Sequence, residues 1–468
     1  MELDMTKGNP TRLIARFILP IIIGNIFQQL YSMVDTVIVG HFVGVKALGA
    51  VGATGSITFL ILGFTQGLTT GFTVLTAQRF GAGDREGMKR SIGSAYLLAV
   101  LLAVFMTVLS ITQMDRLLVL MHTPEDIYAM SRRYILIICM GISCNVLYNL
   151  LASIMRAVGN SVVPLIFLAV AACLNVVLDL VFIAGLHMGV EGAAYATVIS
   201  QGVSGISCLI YMLFKLPALV IEKRHLRPDG QCVKIQISVG LPMALQYSIT
   251  AIGSILVQSA LNLLGSTVVA AYSVAGKVEM FVTQPFGAMG TTMATYGAQN
   301  RGINDLKRIG KGVKSAVAMT VAYSLVIYGV LLLILPYVVR LFVTAEEVAQ
   351  VYPYVLTYER LCGAFFIPLG LIFVFRHVLQ GCGFGILPML GGVVELCCRA
   401  VVAFLATRSG SYFGVCMANV SAWTGAALFF IVLYLLLMRY MERRKAAHES
   451  LSASSLSNSS PAPNQNGR

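Results

Sequence analysis

Two aspartates in the sequence lie within long apolar segments and share a helical face with uncharged amide side chains. Asp35 follows Gln28 by seven residues, about two turns, and Asp179 follows Asn175 by four residues, about one turn. An acidic side chain inside a hydrocarbon layer costs about 2.5–3.5 kcal/mol on insertion scales, so it needs a partner or a function. Because burial disfavours the charged form, such a carboxylate can bind and release a proton. The alternative is a neutral aspartate that only fastens helices together.

Three further pairs of charged residues lie within apolar segments: Glu395 with Arg399, Glu359 with Arg360, and Lys277 with Glu279. The first pair is separated by four residues, which places both side chains on one helical face and predicts an ion pair. The second pair is adjacent in sequence and points about 100° apart on a helix, so its members pair poorly with each other. The third pair lies far enough into its segment to line a cavity.

The composition defines the environment in which these charges lie. Of 468 residues, 57% are apolar and 11% are charged, and the mean hydropathy is +0.82. A soluble protein carries about 25% charged residues, so this chain cannot cover a water-exposed surface and must face a lipid bilayer. The net charge of +13 falls in short clusters between apolar runs. A nucleic-acid binder would gather it on one face, so no nucleic-acid partner is expected.

Neither the ten cysteines nor the histidines show a metal-binding or catalytic pattern. The cysteines lie mostly in apolar segments and form no C-x-x-C pair, as expected for buried free thiols that act as small hydrophobes. The histidines are scattered, without a paired acid or a nucleophile elbow. We therefore expect no enzyme activity, no metal site and no bound cofactor.

Apolar segments long enough to cross a membrane recur along the whole chain. A helix needs about 20 residues to cross the hydrocarbon layer, whereas a barrel would show short alternating segments. The sequence therefore predicts an all-α integral membrane protein with twelve transmembrane helices, near residues 14–39, 47–77, 91–112, 133–156, 162–184, 191–214, 235–264, 268–298, 312–342, 350–380, 386–407 and 412–438.

The basic residues between these segments are distributed unevenly. If the N-terminus is placed in the cytoplasm, the connecting segments on the cytoplasmic side hold 24 lysines and arginines. Those on the opposite side hold six. The positive-inside rule then predicts that both termini are cytoplasmic, in a multi-pass protein of the inner (cytoplasmic) membrane.

The second half of the chain repeats features of the first. The sequence AQRFGAGD at 77–84 recurs as AQNRGIND at 298–305, an offset of 221 residues. Pro20 recurs as Pro242, and Gly159 recurs as Gly383. Two halves of six helices each keep the same orientation, so the repeat is parallel, with a pseudo-two-fold axis along the membrane normal. We predict an N-terminal lobe at 1–222, a C-terminal lobe at 223–446 and a disordered cytoplasmic tail at 447–468. Such paired lobes favour a transporter over a channel.

On these residues the chain resembles the multidrug and toxic compound extrusion (MATE) family of secondary transporters, over nearly its whole length except the tail. The resemblance rests on the twelve spans in two parallel halves, the acidic first span, the repeated Ala-Gln-x-x-Gly ends and the segments Asn175–Asp179 and Val278–Glu279 with Gln284-Pro285 beyond. It implies a cation-coupling network in the N-terminal lobe. The matching positions are Asp35, Asn175, Asp179, Gln28, Tyr134, Asn149 and Thr197.

The resemblance also bears on the coupling ion. Some Na⁺-coupled relatives carry an acidic residue in the seventh span, where this chain offers only Gln246 and Gln258. We therefore favour H⁺ as the coupling ion and keep Na⁺ open, because a carboxylate with amide oxygens can also bind a hard cation. Glu279, Lys277, Gln246 and Gln284 are assigned to the substrate cavity.

The resulting hypothesis is a monomeric, cation-coupled antiporter that exports organic, cationic and amphipathic compounds by alternating access. One alternative is a lipid-linked oligosaccharide flippase of the wider multidrug/oligosaccharidyl-lipid/polysaccharide (MOP) exporter superfamily. A flippase is expected to hold pyrophosphate with several basic residues, but only Lys277, Arg360 and Arg399 are predicted to lie within spans. The other alternative is a membrane receptor that binds without transporting.

Overall fold

The computed structural model describes residues 3–121, 123–340 and 345–458. Within these ranges the chain folds into sixteen α-helices, joined by short turns and 3₁₀ segments and by one π-helical segment, Leu180–Gly185. The helices are α1 (Pro10–Phe42), α2 (Val45–Phe72), α3 (Val74–Gly81), α4 (Arg85–Leu120), α5 (Glu125–Met140), α6 (Ile142–Ala157), α7 (Val162–Asp179), α8 (Val190–Lys215), α9 (Gly230–Asn262), α10 (Ser266–Val282), α11 (Gln284–Gly302), α12 (Leu306–Val339), α13 (Ala345–Gly363), α14 (Phe366–Gly381), α15 (Ile386–Ser409) and α16 (Tyr412–Asn458).

The helices account for the predicted spans with one qualification. In the described ranges, nine helical stretches are long and apolar enough to cross a membrane, and two bent pairs bring the number to eleven. The bent pairs are α5 with α6, at 45°, and α13 with α14, at 48°. The remaining predicted span, 268–298, is divided between α10 and α11, which meet at Thr283, and neither helix qualifies alone. The all-α, membrane-spanning fold is confirmed.

Each half of the chain has its own apolar core. One large buried cluster comes chiefly from α10 to α16, and a second comes chiefly from α2 to α8. We therefore call α1–α8 the N lobe and α9–α16 the C lobe. The helix α16 continues to Asn458, past the predicted start of the tail at 447, and the rest of that tail, 459–468, lies outside the described residues.

The internal repeat appears as matched helix starts. Asp84 precedes α4, and its side chain accepts a hydrogen bond from the backbone N–H of Gly87 at 2.8 Å. Asp305, 221 residues later, precedes α12 and accepts from the backbone N–H of Arg308 at 2.9 Å. Each aspartate satisfies a backbone donor that would otherwise lack a partner in the first helical turn. The repeated sequence therefore codes for the same local structure in both lobes.

The lobes meet along α2 and α9, where glycines allow close approach. A Cβ added at Gly67 would lie 2.7 Å from Cα of Ala244, and one added at Gly71 would collide with the backbone of Gly240. No side chain other than hydrogen fits between the two backbones at these points. The stripe of Gly63, Gly67 and Gly71 thus serves helix packing, as its four-residue spacing predicts.

At one end of the molecule, which we call the motif end, the two Ala-Gln-x-x-Gly copies close the lobes against each other. Gln78 Nε2 donates to the carbonyl oxygen of Gly381 at 2.9 Å, and Gln299 Nε2 donates to that of Ala157 at 2.9 Å. Each glutamine thus bonds to the opposite lobe in the same way. The backbone N–H of Met5 also donates to Gln299 Oε1 at 2.8 Å, a contact on the C-lobe copy that comes from the N-terminal segment.

Candidate functional site

The N lobe contains a pair of carboxyl groups brought together by α1 and α7. Asp35 lies in the second half of α1, and Asp179 is the last residue of α7. Their carboxyl groups lie close enough to hydrogen bond when one of them is protonated. Asp179 is fully buried, and Asp35 is partly buried. No lysine, arginine or histidine of the described residues forms an ion pair with either carboxylate within 4.0 Å.

This pair belongs to a group of buried polar atoms that lack partners. Both carboxyl oxygens of Asp179, one of Asp35 and both amide atoms of Asn175 are buried without a hydrogen bond. A buried polar group left unpaired costs about 1–3 kcal/mol, so a proton, water or a small cation would be stabilised here. The π-helical segment Leu180–Gly185 begins directly after Asp179. Short π-helical segments occur frequently at functional sites.

Two tyrosines complete this group, which we call the N-lobe chamber. Tyr134, predicted from the family resemblance, is buried and lies near both aspartates. Tyr31, which the sequence reasoning did not single out, lies near the same carboxyls and beside Gln28. Its position one turn before Asp35 on α1 is the signal that could have identified it.

Two other predicted members of the coupling network lie on α6 and α8. Asn149 Nδ2 donates to the backbone and side-chain oxygens of Asn145, both at 3.0 Å. Asn145 in turn donates to Gln201 Oε1 at 3.3 Å, so Asn149 belongs to an amide network between α6 and α8. Thr197 lies half-buried on α8.

The C lobe contains a cavity of about 490 Å³ between α9, α10, α13, α14, α15 and α16. Glu279 lines it, and the Tyr358 hydroxyl donates a short hydrogen bond to the Glu279 carboxylate. Asn419 Nδ2 donates to the hydroxyls of Tyr358 and Tyr272 at 3.2 and 3.3 Å, and the two rings meet edge to face. Three helices, α10, α13 and α16, therefore supply one hydrogen-bonded group around a single carboxylate.

Of the four residues predicted to bind substrate, Glu279 is the one that lines this cavity. Lys277 is exposed and lies outside the lining, because two residues along a helix turn a side chain by about 200°. Gln284 Nε2 donates to the carbonyl oxygen of Met280 at 3.1 Å. Gln246 is buried, with its carboxamide 3.0 Å from that of Gln380.

The remaining intramembrane charges occupy two further positions in the C lobe. Arg399 Nη2 lies 2.9 Å from Glu395 Oε1, which confirms the predicted ion pair on α15, and both residues line the cavity. Glu359 is fully buried with both carboxyl oxygens unpartnered, whereas Arg360 is exposed. These two side chains diverge, as their adjacency predicts.

One basic residue was placed wrongly by the sequence reasoning. The count of 24 inner basic residues includes Arg376, near the end of the predicted span 350–380, but this residue lies within α14, is buried and lines the C-lobe cavity. Its guanidinium packs over the ring of Phe373, 5.0 Å from the ring centroid. A long arginine side chain on an apolar helix can bury its stem in this way.

Paired lobes, helical spans and acidic groups between the helices define a polytopic membrane protein with the architecture of a transporter. The MatE family model matches the chain twice, over residues 20–181 and 242–405, one match in each lobe. The chain therefore belongs to the multidrug and toxic compound extrusion family, whose members are transporters.

Individual relatives agree with this assignment. The chain is 31% identical to the probable multidrug resistance protein YpnP of Bacillus subtilis, over 65% of this chain and 68% of that protein. It is 22% identical to the probable multidrug resistance protein NorM of Thermotoga maritima, over 87% of each. A solved MOP superfamily transporter from Pyrococcus furiosus has a TM-score of 0.88 at 23% identity, covering 94% of this chain and 98% of that one. This likeness shows the shared fold.

Proposed function

We propose that the protein is a proton-coupled antiporter that exports organic cations across the cytoplasmic membrane. The observation that carries this proposal is the pair of facing carboxyl groups, Asp35 and Asp179, buried without a cationic partner within 4.0 Å among the described residues. Two like charges this close cannot both stay ionised in a buried site, so the pair is suited to hold a proton.

Transport requires that the chamber be loaded and emptied from opposite sides. If the motif end faces the cytoplasm, as the excess of basic residues on that side predicts, then Gln78 and Gln299 close the cytoplasmic side in this conformation. Protonation from outside would rearrange the N lobe and release the substrate. Deprotonation toward the cytoplasm would then reset the site, with the bonds at the motif end breaking once in each cycle.

The C-lobe cavity is the place we propose for the substrate. Its volume of about 490 Å³ lies in the range of pockets that hold drug-sized molecules. Tyr272, Phe373 and Trp423 supply aromatic walls, and Glu279 supplies a carboxylate that a protonated amine can approach. Multidrug resistance is the function named for the relatives in Bacillus subtilis and Thermotoga maritima, which supports export of such compounds.

The decisive experiment measures uptake of ethidium into proteoliposomes under separately imposed H⁺ and Na⁺ gradients. A proton gradient should drive uptake, and Asp35→Asn or Asp179→Asn should abolish the proton-driven part. Asp115→Asn is the matched control, because Asp115 is exposed and pairs with Arg132 at 2.7 Å outside the chamber.

Other outcomes would assign a different function. Uptake driven by Na⁺ alone would identify Na⁺ as the coupling ion. Binding without gradient-driven uptake would identify a receptor. Movement of a lipid-linked pyrophosphate across the bilayer without ethidium transport would identify a flippase.

A further inference from the structure

The C-lobe cavity carries more positive than negative charge at the end formed by α14 and α15. Arg376, Arg399 and Glu395 all line it there, and we call these three residues the cationic corner. Glu395 Oε1 already forms an ion pair with Arg399 Nη2 at 2.9 Å. No carboxylate of the described residues forms an ion pair with Arg376 within 4.0 Å. Two guanidinium groups thus share one carboxylate.

Both arginines are withdrawn from solvent. Arg376 is 9% exposed and Arg399 is 6% exposed, and Arg399 Nε is buried without a hydrogen-bond partner. Gly253 on α9 makes room for Arg399, because a Cβ at that position would collide with Arg399 Nη1. Buried charge is costly unless it is paired, so the extra guanidinium favours an anionic ligand from outside the chain.

The orientation of Arg376 is fixed by α9. With its carboxamide oxygen turned toward the guanidinium, Gln246 accepts from Arg376 Nε at 2.9 Å and also from Nη1. A guanidinium has five N–H donors, so the outer ones stay available toward the cavity. Phe373 supports the flat face of the group. A planar donor group held in this way suits two-point binding of a carboxylate.

We propose that the cationic corner binds the carboxylate of an amphoteric substrate whose protonated amine faces Glu279 in the same cavity. This proposal rests on the export function proposed above and specifies its substrate class. Arg376 acts as the specificity-determining residue, since Arg399 is already paired. The aromatic walls between the two charged ends would hold the apolar body of the ligand.

Equilibrium binding to the purified full-length protein in detergent tests this inference with two fluorescent probes. Nε-dansyl-lysine carries an amine and a carboxylate, and its methyl ester carries the amine alone. The wild-type protein should bind dansyl-lysine about tenfold more tightly than the ester, the effect of one charge-assisted two-point contact. Arg376→Gln should remove this preference by weakening dansyl-lysine binding about tenfold relative to the ester.

Three further variants control for folding and for the geometry of the contact. Arg408→Gln is the matched control, because the Arg408 guanidinium also lies over a phenylalanine ring, that of Phe404 at 4.6 Å, but outside the cavity. Arg376→Lys keeps the charge without the planar donors and should retain part of the preference. Glu395→Gln removes the competing carboxylate and should tighten dansyl-lysine binding about threefold, which damage to the fold would not do.

The proposal is overturned if the wild-type protein binds both probes equally or binds neither. It is also overturned if Arg376→Gln weakens both probes alike, or if Glu395→Gln weakens dansyl-lysine binding. Uptake of the ester into proteoliposomes separates this result from the export function. Uptake of the ester without a carboxylate preference in binding refutes the substrate class alone. A carboxylate preference without uptake of either probe refutes export alone.

Discussion

The two lobes share a repeat but place their acidic groups in opposite electrostatic settings. In the N-lobe chamber, Asp35 and Asp179 face each other without a cationic partner within 4.0 Å among the described residues. In the C-lobe cavity, Glu279 bonds to a tyrosine and shares its space with Arg376 and Arg399. Binding one proton therefore changes the net charge of the N-lobe chamber by a large fraction. The C-lobe cavity already contains charges of both signs.

The repeat retains the contacts that close the two lobes against each other, whereas the charged groups between the helices differ from lobe to lobe. Gln78 and Gln299 make equivalent hydrogen bonds to the opposite lobe at the motif end, so these closing contacts are symmetric. The chemistry between the helices is not symmetric. Under the function proposed above, this difference predicts a division of labour in which the N lobe holds the coupling proton and the C lobe selects the substrate.

The contact that joins the lobes carries the largest expected effect, because both sites depend on it. Gly71→Leu would drive a side chain into the backbone of Gly240 on α9 and should abolish assembly of the folded protein. Gly55→Leu on the same helix is the control, since nothing lies within 4 Å of a Cβ there. Monodisperse elution in detergent reads out both variants. A well-folded Gly71→Leu protein would show that the lobes do not need this close approach.

The contrast between the sites predicts two separable losses. Glu279→Gln should weaken ethidium binding by about 10- to 150-fold, because a charged contact of about 1.5–3 kcal/mol is removed, while transport stays driven by protons. Asp179→Asn should do the reverse and abolish proton-driven transport while ethidium still binds.

Binding by fluorescence and uptake under a pH gradient measure the two effects separately. Glu125→Gln is the control for the change of charge, since Glu125 is exposed at the start of α5. If each variant impaired both binding and coupling equally, the division of labour between the lobes would be wrong.

Contacts that depend on residue spacing within one segment could be predicted from the sequence, and the structure contains them. The glycine stripe on α2, the pair Glu395–Arg399 and the matched helix starts at Asp84 and Asp305 each depend on spacing within one segment. Helical periodicity also separates Lys277 from Glu279, although the sequence reasoning grouped them in one cavity. Two residues along a helix place side chains on nearly opposite faces.

Features assembled from several helices could not be read from one segment. Tyr272, Tyr358 and Asn419 come from α10, α13 and α16 and meet only in the folded lobe. Tyrosine is common in apolar segments for packing reasons, so its type alone does not mark a site. Arg376 shows a different limit, because a single charge after an apolar run resembles the start of a loop until its packing is seen.

At the motif end, removing either repeated glutamine should lower the stability of the protein, by less than the changes above and by unequal amounts. Gln78→Ala removes one interlobe hydrogen bond, whereas Gln299→Ala removes a buried side chain that bonds to both Ala157 and Met5. At about 1 kcal/mol for each bond, Gln299→Ala should lower the thermal stability in detergent about twice as much. Equal losses from the two variants would show that the Met5 contact adds nothing.

The smallest expected effect lies at the matched helix starts, where the lobes differ by one ion pair. Asp84→Ala and Asp305→Ala should each cost about 1 kcal/mol of stability, since each removes a cap from the first turn of its helix. Asp84 also pairs with Arg79 at 2.8 Å, but both side chains are more than a third exposed, so this pair adds less than about 1 kcal/mol. Thermal unfolding in 0.5 M salt should therefore bring the two variants together, because salt screens the exposed pair and leaves the caps. A difference that persists at high salt would place the asymmetry in the helix starts themselves rather than in Arg79.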